Sequence, residues 1–419
     1  MEEEVYVPAI NADSDPWTLP LEDIDLAQGV IFQLQKHHEY FKRLRQENPV
    51  HYHANNPDIG PFWSITRYQD IMAVDTNHQV FSSEPSIALF DELLQEQQAP
   101  MFIAMDPPKH DVQRQVVTPA VNPLRVKDLE GLIRERTTEV LDNIPVGEPF
   151  NWVEKVSIEL TTRMLATLFD FPFEQRHKLP FWSDIITTDP LQIGMTVEQR
   201  MEHLFECLQT FSEMFKQRQF EGNENQDFIS LLANHPETRD QEGVELLGNL
   251  MLLIVGGNDT TRNSMSGGVW FMDQFPEEFQ KLKGNPALVE SAVSEIIRYQ
   301  TPLSYMRRTA TQDIEIGGQL IKKGDKVAMW YASGNRDEEI FEQADQFIID
   351  RPNVRRHISF GFGIHRCMGN RIGEAQLRIV WEEILKRFDR LEVVGEPVRL
   401  EHSFVHGIKD LQVIAHPRG

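Results

Sequence analysis

The sequence predicts a mainly helical fold with small β-sheets, and the spacing of its apolar residues is the main reason. Apolar residues recur every three or four positions through six long stretches, as they do along the buried face of a helix. These predicted helices cover residues 31–45, 109–121, 129–141, 153–169, 201–220 and 245–275. Shorter strand-like segments, which would form the sheets, lie at 50–53, 62–66, 313–316, 326–330 and within the tail at 391–415.

The chain of 419 residues is expected to fold as a single domain, residues 1–419. It contains no internal repeat, no low-complexity tract and no Pro/Gly/Ser-rich linker long enough to separate two folding units. The stretch 83–100 has weak periodicity, which predicts a long loop. Long loops in compact domains are often functional.

Composition and charge limit the partners that we expect for this protein. Hydrophobic residues make up 40% and charged residues 25%, which is typical of a globular protein. The formal net charge of -24 would repel nucleic acid and anionic membrane surfaces at long range. No apolar run approaches the roughly 20 residues of a membrane span, and the acidic N-terminus does not resemble a signal peptide, so we expect no membrane anchor. Because there are only two cysteines, we expect a cytoplasmic location.

A glycine-rich loop around Cys367 is the strongest chemical signal in the sequence. Residues 359–369 place three glycines and one cysteine directly before a predicted helix at 370–388. Glycines let the backbone bend closely around a ligand, and a helix N-terminus favours a thiolate. A catalytic nucleophile lacks an identifiable His/Asn partner, and zinc would need further Cys or His ligands, so a metal cofactor with one protein thiolate fits best. Cys207 lacks such surroundings and is expected to be an inert, buried side chain.

Residues 360–369, Phe-Gly-Phe-Gly-Ile-His-Arg-Cys-Met-Gly, resemble the haem-binding signature of the cytochromes P-450. The resemblance implies the cytochrome P-450 fold, with haem b (iron protoporphyrin IX) between the long central helix and the cysteine-loop helix. It implies that Cys367 ligates the iron and that Phe360, His365 and Gly369 contact the haem. Thiolate ligation in that class favours O–O cleavage. The implied activity is a monooxygenase that inserts one oxygen atom of dioxygen into an unactivated C–H bond.

An acid and a base, Glu295 and Arg298, lie three residues apart on one face of a predicted helix. Alone, such a pair is ordinary, since most are solvated surface ion pairs. Its interval before the cysteine is similar to that of the Glu-x-x-Arg pair in this family. The resemblance implies a structural network that a third residue completes, and Arg351 is the candidate.

Two adjacent glycines interrupt the longest predicted helix within residues 256–261, Gly-Gly-Asn-Asp-Thr-Thr. They cost about 2 kcal/mol relative to alanine, so they need a reason, and close helix packing is one alternative. The resemblance implies that Gly256 lies where the helix opens over the haem to make room for oxygen. It also implies that Asp259 and Thr260 deliver protons during oxygen activation. The Thr260 hydroxyl could equally bond back to the preceding turn, and both roles are compatible.

Haem propionates need cationic or hydrogen-bonding partners when they are buried. Four residues match family positions for this role: His110, Arg114, Arg308 and His365. His110 and Arg114 lie four apart after a helix-start signal, Asp-Pro-Pro, and would share one helix face. For each of the four, the alternative is an ordinary surface charge or a satisfied core histidine.

Four further segments resemble the soluble bacterial alkane and fatty-acid terminal hydroxylases: 101–111, 254–263, 301–308 and 329–337. The resemblance implies terminal (omega) hydroxylation of medium-chain alkanes or fatty acids. Selectivity for a chain end must come from geometry, which calls for a narrow apolar channel. Each candidate wall residue could equally belong to the core; they are Ile87, Leu89, Phe90, Ile254, Val255, Leu303, Met306, Phe404 and Val405.

Two alternatives remain open: a sterol or terpenoid hydroxylase on the same scaffold, and a non-catalytic haem-binding sensor or carrier. The chain carries no flavin or nicotinamide glycine motif, so electrons would come from NAD(P)H through external redox proteins. The resemblance implies a ferredoxin and a ferredoxin reductase. Four arginines around the cysteine loop could steer a ferredoxin, or could serve propionates or a helix surface; they are Arg355, Arg356, Arg366 and Arg371.

Overall fold

The computed structural model describes residues 10–11, 13–54, 56–57, 59–89, 100–187, 194–221 and 225–419. Its α-helices in chain order are α1 (Gly29–Gln33), α2 (His37–Glu47), α3 (Tyr68–Asp75), α4 (Lys109–Val117), α5 (Pro123–Asp142), α6 (Glu159–Leu168), α7 (Lys178–Thr187), α8 (Val197–Glu221), α9 (Phe228–Asn234), α10 (Gly243–Gln274), α11 (Pro276–Gly284), α12 (Val289–Gln300), α13 (Tyr331–Gly334) and α14 (Asn370–Arg387). Within these ranges, no helix combines the length and the apolar character that crossing a bilayer requires.

The strands are short, and within the described ranges they form four small sheets. In chain order they are β1 (Val50–His53), β2 (Phe62–Ile65), β3 (Phe81–Ser82), β4 (Pro149–Asn151), β5 (Met306–Ala310), β6 (Ile314–Ile316), β7 (Gln319–Ile321), β8 (Lys326–Met329), β9 (Phe388–Val393), β10 (Val398–Arg399), β11 (Ile408–Asp410) and β12 (Gln412–Pro417). The prediction of a mainly helical protein with small sheets is confirmed.

Each predicted helix is present, but local backbone chemistry shifts several boundaries. The predicted helix 31–45 is divided into α1 and α2, where Gln35 adopts a φ of 58°, in the left-handed region. The predicted helix 109–121 ends as α4 at Val117 and continues as a short 3-10 helix that contains Pro119, which lacks the N–H needed to extend an α-helix. The predicted helix 153–169 starts with a turn of π-helix before α6.

Helix α5 begins at Pro123, six residues before its predicted start at 129. The side chain of Asn122 accepts a hydrogen bond from the Arg125 N–H at 2.9 Å, and proline fits the first helical position because it has no N–H to satisfy. Periodicity alone placed the start too late, since the capping residues precede the apolar pattern.

The chain divides into two compact units, each assembled from three segments. Unit one comprises Met1–Glu96, Gln274–Cys367 and Pro397–Lys409; unit two comprises Gln97–Asp273, Met368–Glu396 and Asp410–Gly419. The expectation of a single domain stays a prediction.

Unit one is built on a five-stranded sheet with the order β1-β2-β8-β5-β3. Strands β2 and β8 run parallel, with Trp63 opposite Val327, and the other neighbours run antiparallel. One core cluster of this unit gathers aromatic side chains around Trp330, including Phe32, Phe41 and Tyr305, whose ring centroids lie 4.6 to 6.0 Å from that of Trp330. The sheet and this aromatic cluster therefore pack together and support the strand ends and loops of unit one.

Unit two is mainly helical, and α10 is buried along most of its length. Its core cluster joins α10 to neighbouring helices through side chains such as Leu250, Phe211, Trp182 and Ile379. Strands β4, β12 and β9 form an antiparallel sheet in this unit. Packing on several sides holds α10 in place, even though its sequence includes residues that favour helices poorly.

A fully buried ion network in unit one ties α12 to the segments that follow it. Arg298 donates to Glu295 through Nε at 2.7 Å and Nη2 at 2.8 Å, and Arg351 Nε lies 3.2 Å from Glu295 Oε2. Arg298 Nη1 also donates to the carbonyl oxygens of Asn335, at 2.6 Å, and Ala344, at 2.9 Å. Glu295 and Arg298 are 0% exposed. The pair is therefore an interior crosslink and not a solvated surface pair.

Replacing Glu295 by alanine should cost about 3–5 kcal/mol of unfolding free energy, because it leaves Arg298 and Arg351 buried without their carboxylate. Urea unfolding of the purified protein measures this loss. The control is Glu290→Ala on the same helix, where the pair with Arg355 is exposed and should contribute no more than about 0.5 kcal/mol. Equal losses in the two variants would contradict the assignment of an interior crosslink.

Candidate active site

The cysteine loop of unit one is a tight turn closed by its own backbone. The Cys367 N–H donates to the Phe360 carbonyl at 2.8 Å, and the Gly361 N–H donates to the Ile358 carbonyl at 2.9 Å. Gly361 and Gly363 have φ values of 63° and 66°, which side chains other than that of glycine rarely allow. Cys367 itself is exposed, and α14 begins three residues later, at Asn370. The thiol of Cys367 is therefore accessible, and the helix that the sequence predicted after the cysteine is confirmed.

Asp75, the last residue of α3, lies against this loop and was not singled out from the sequence. Its Oδ2 accepts the Phe362 N–H at 2.7 Å. A Cβ on Gly363 would lie 2.6 Å from the Asp75 carbonyl oxygen, so only glycine fits there without a backbone shift. Burial raises the pKa of Asp75, while the nearby Arg308 opposes this rise. A lone carboxylate at a helix end carries no motif, which is why sequence reasoning missed it.

Arg308, on β5, is 3% exposed and is paired with Asp75, with Nη2 lying 3.0 Å from Oδ1. The Tyr331 hydroxyl donates to the same carboxylate at 2.9 Å. The alternative of an ordinary surface charge is therefore wrong for Arg308. His365 is also buried, and its Nε2 lies 2.9 Å from the Ser83 hydroxyl.

The other two predicted propionate partners lie on α4 in unit two, which starts directly after the two prolines. His110 is 1% exposed, and its Nδ1 lies 2.8 Å from the Asp111 carboxylate. Arg114, one turn later, is partly buried. The surface-charge alternative is therefore wrong for His110.

Helix α10 runs without a break through residues 256–261, so the expected opening at this segment is absent. The Thr260 hydroxyl donates to the Gly256 carbonyl at 2.9 Å, which is the bond to the preceding turn considered from the sequence. Gly256 is nevertheless exposed, and apart from its chain neighbours and the adjacent helix backbone a Cβ built on it would have no heavy atom within 4 Å. A side chain at this position would occupy open space beside the helix.

Asp259 is buried in unit two and has a cationic partner that the sequence analysis did not identify. Arg262 Nη2 lies 2.8 Å from its Oδ1, and the Asn258 side chain donates to the same oxygen at 3.0 Å. Burial raises the pKa of Asp259 to about 6, against the opposing effect of Arg262. A shift in this direction keeps a larger fraction of the carboxyl protonated at a given pH than for an ordinary aspartate.

Unit one brings six predicted channel residues to one region around the start of β5. Leu303 and Val405 form an isolated β-bridge, and the Phe404 carbonyl accepts the Ser304 N–H at 2.9 Å. The Ile87 carbonyl accepts the N–H of Arg307 in β5 at 2.7 Å. The Leu89 N–H donates to the hydroxyl of Tyr305, which directly precedes β5, at 3.1 Å. Met306 is the first residue of β5.

Burial separates the channel candidates into two groups. Leu89, Val405 and Ile254 are fully packed core residues, whereas the remaining described candidates are partly exposed: Ile87, Val255, Leu303, Met306 and Phe404. Ile254 and Val255 lie on α10 in unit two, and Phe90 lies outside the described residues. The partly exposed group contains the better candidates for contact with a substrate.

The remaining predictions concern Cys207 and the four arginines. Cys207 is 0% exposed, which confirms the predicted burial, and this burial raises the pKa of its thiol well above the ordinary value. All four arginines are exposed: Arg355, Arg356, Arg366 and Arg371. Arg355 is paired with Glu290 at 3.2 Å, so part of its charge is already offset.

Comparison with known proteins identifies the family. The family model described as Cytochrome P450 matches residues 125–414. A linalool 8-monooxygenase from Pseudomonas putida is 36% identical over 410 residues, which cover 95% of this chain and 100% of that protein. The structure of a cytochrome P450-153 from Novosphingobium aromaticivorans is similar with a TM-score of 0.86 and 41% identity, covering 96% of this chain and 100% of that one. For CYP153D17 from Sphingomonas sp. PAMC 26605 the TM-score is 0.87, the identity 44% and the coverages 93% and 98%. This chain therefore belongs to the cytochrome P450 family and has the fold of that family.

Proposed function

We propose that this cytochrome P450 monooxygenase hydroxylates the terminal carbon of medium-chain alkanes or fatty acids. The observation that carries the proposal is the cluster of partly exposed apolar residues that unit one gathers at the start of β5, namely Ile87, Leu303, Met306 and Phe404. Apolar walls bind a hydrocarbon chain without fixing any polar group of it, so the shape of the channel decides which carbon reacts. The resemblance of four chain segments to terminal hydroxylases supports the same substrate class.

Two features of the described residues fit the haem b that the family binds. The accessible thiol of Cys367 is the soft sulfur donor that haem iron takes in this class, and the open space beside Gly256 leaves room next to α10. When bound, the haem supplies the oxygen chemistry of the reaction. We assign iron ligation to Cys367.

The remaining haem contacts that we propose are six residues that match family positions. They are Phe360, His365 and Gly369 around the ligand, and His110, Arg114 and Arg308 as propionate partners. Arg308 uses one N–H for Asp75 and one for the Arg307 carbonyl, at 2.9 Å. Because a guanidinium carries five N–H donors, further donors of Arg308 are available for a propionate.

Proton delivery is assigned to two residues of α10. The Thr260 hydroxyl is held by the Gly256 carbonyl, so its oxygen has a fixed position from which it can accept and pass on a proton. The Asp259 carboxyl, with a pKa of about 6, would supply the following proton.

A second candidate function, terpenoid hydroxylation, is favoured by one comparison. The relative from Pseudomonas putida is named a linalool 8-monooxygenase, and linalool is a branched terpenoid alcohol. The same apolar cluster would contact either substrate class, so only product analysis separates them.

Electrons are expected from NAD(P)H through a ferredoxin and its reductase, since external redox partners are standard in this family. The exposed arginines Arg356 and Arg366 of unit one provide positive charge that would attract an acidic ferredoxin, despite the net charge of -24 on the chain.

The ligand assignment predicts that Cys367→Ser abolishes the long-wavelength Soret band of the reduced, carbon-monoxide-bound protein, because serine does not supply a thiolate. Absorption difference spectra measure the band. Cys207→Ser is the matched control, since this buried cysteine lies 4.0 Å from Met251 Sδ within the core of unit two and should leave the band unchanged. A Cys367→Ser protein that retained the band would refute the assignment.

Thr260→Ala should lower the product formed per NADH consumed by at least about tenfold, because the fixed hydroxyl is lost. The control is Ser264→Ala, which removes a similar bond, from Ser264 to the Thr260 carbonyl at 2.8 Å, one turn further along α10. Coupling that is unchanged in Thr260→Ala, or reduced equally in both variants, would contradict the assigned role.

The raised pKa of Asp259 predicts a pH dependence of the coupled turnover. The protonated fraction falls as pH rises through about 6, so turnover limited by this proton donor should fall over the same range. Asp259→Asn removes the titrating group, so its turnover should be slower and should not fall over this pH range. If turnover fell over the same pH range in both proteins, another titrating group would be responsible.

Turnover of octane, dodecanoic acid and linalool with a surrogate ferredoxin and reductase tests the substrate class. We expect mainly terminal alcohols from the two unbranched chains, with the hydroxyl located by mass spectrometry. Mainly subterminal products would contradict terminal hydroxylation, and efficient turnover of linalool alone would favour the terpenoid alternative.

A further inference from the structure

The cysteine loop is anchored by a buried carboxylate that lies far from it in the sequence. Asp75 is 4% exposed and accepts three hydrogen bonds. Its Oδ2 accepts the Phe362 N–H at 2.7 Å and the Tyr331 hydroxyl at 2.9 Å, and its Oδ1 accepts from Arg308 at 3.0 Å. Bonds to an ionised acceptor are stronger than neutral ones, so this carboxylate is a rigid point of attachment for the loop.

The glycines of the loop permit this attachment. Ideal Cβ atoms would lie 2.6 Å from the Asp75 carbonyl oxygen at Gly363, and 3.4 Å from Asp75 Oδ2 at Gly361. The loop therefore folds closely around Asp75 on both sides of the Phe362 amide. The bond from the Cys367 N–H to the Phe360 carbonyl then joins the anchored part of the loop to the cysteine.

We propose that Asp75 is a positioning residue for the Cys367 thiolate, acting through the Phe362 amide, and that it also holds Arg308 in place. The proposal rests on the proposed function in one respect, the assignment of Cys367 as the ligand. The hold of Asp75 on the loop does not depend on that assignment.

The charge of Asp75 gives the proposal a second consequence. Asp75 and Arg308 form a buried pair of opposite charge, both at most 4% exposed. Neutralising the carboxylate would remove one negative charge beside Arg308 in a poorly solvated region, where a change of charge acts over a longer range than in water. A net gain of positive charge near a haem favours the reduced iron, so the reduction potential should become more positive.

Asp75→Asn tests both consequences in the haem-loaded protein. An amide has one acceptor oxygen where the carboxylate has two, so the loop or Arg308 must lose a partner. We expect amide hydrogen exchange in the peptide 359–369 to become about tenfold faster. We also expect a several-fold larger fraction of the carbon-monoxide complex without the long-wavelength band, and a positive shift in reduction potential. Tyr331→Phe, which removes one donor and no charge, should give a smaller increase in exchange and little change in potential.

The matched control is Asp227→Asn, which changes another buried aspartate that accepts two bonds from Ser230, at 2.8 Å and 2.6 Å. It should leave loop exchange, the band and the potential at wild-type values. The same changes in both aspartate variants would show a general loss of stability and would overturn the proposal.

Wild-type loop exchange and potential in Asp75→Asn would also overturn it. If Asp75→Asn does not fold, Tyr331→Phe decides, because unchanged exchange in that variant would show that the cluster does not hold the loop. Retention of the band in Cys367→Ser would instead refute the ligand assignment, and the exchange measurement would still test the hold of Asp75 on the loop.

Discussion

The pairing of buried carboxylates with arginines is the constraint on which the rest of unit one depends. An unpaired charge inside a protein costs several kcal/mol, so a buried acid fixes the position of every element that supplies its partners. Glu295 fixes α12 relative to the segment that carries Arg351, and Asp75 fixes the cysteine loop relative to β5. The cysteine loop is therefore bonded to a carboxylate that lies outside its own turn.

In unit two, a single helix carries glycines and polar residues through an apolar core. Helix α10 carries two adjacent glycines and several polar residues through an apolar core, at a cost of about 2 kcal/mol for the glycines. Two of these polar groups have partners close by in the sequence, since Arg262 is paired with Asp259 and the Gly256 carbonyl accepts from Thr260. The helix thus keeps its geometry while exposing one small residue, Gly256, beside the groups that we assign to proton delivery.

The fold does not by itself select a substrate class, since one fold can carry many activities. An alkane, a fatty acid and a terpenoid alcohol share an apolar body, and the cluster around the start of β5 offers apolar contact to all of them. Selection among them depends on the width and direction of the channel. Partly exposed residues such as Leu303 and Phe404 would control both, whereas core residues such as Leu89 and Val405 would act only by supporting them.

The sequence by itself determined the fold class, the long helices and the chemical identity of the cysteine loop, because apolar periodicity, capping residues and a contiguous motif are local properties of the chain. Only the tertiary structure decided that Asp75 anchors the loop, that Arg308 is paired with it, and that Leu89, Ile254 and Val405 belong to the core. Asp75 and Phe362 are separated by 287 positions, and no local pattern predicts a contact across such an interval. Such contacts depend on how the whole chain packs, and burial then decides which charges must be paired.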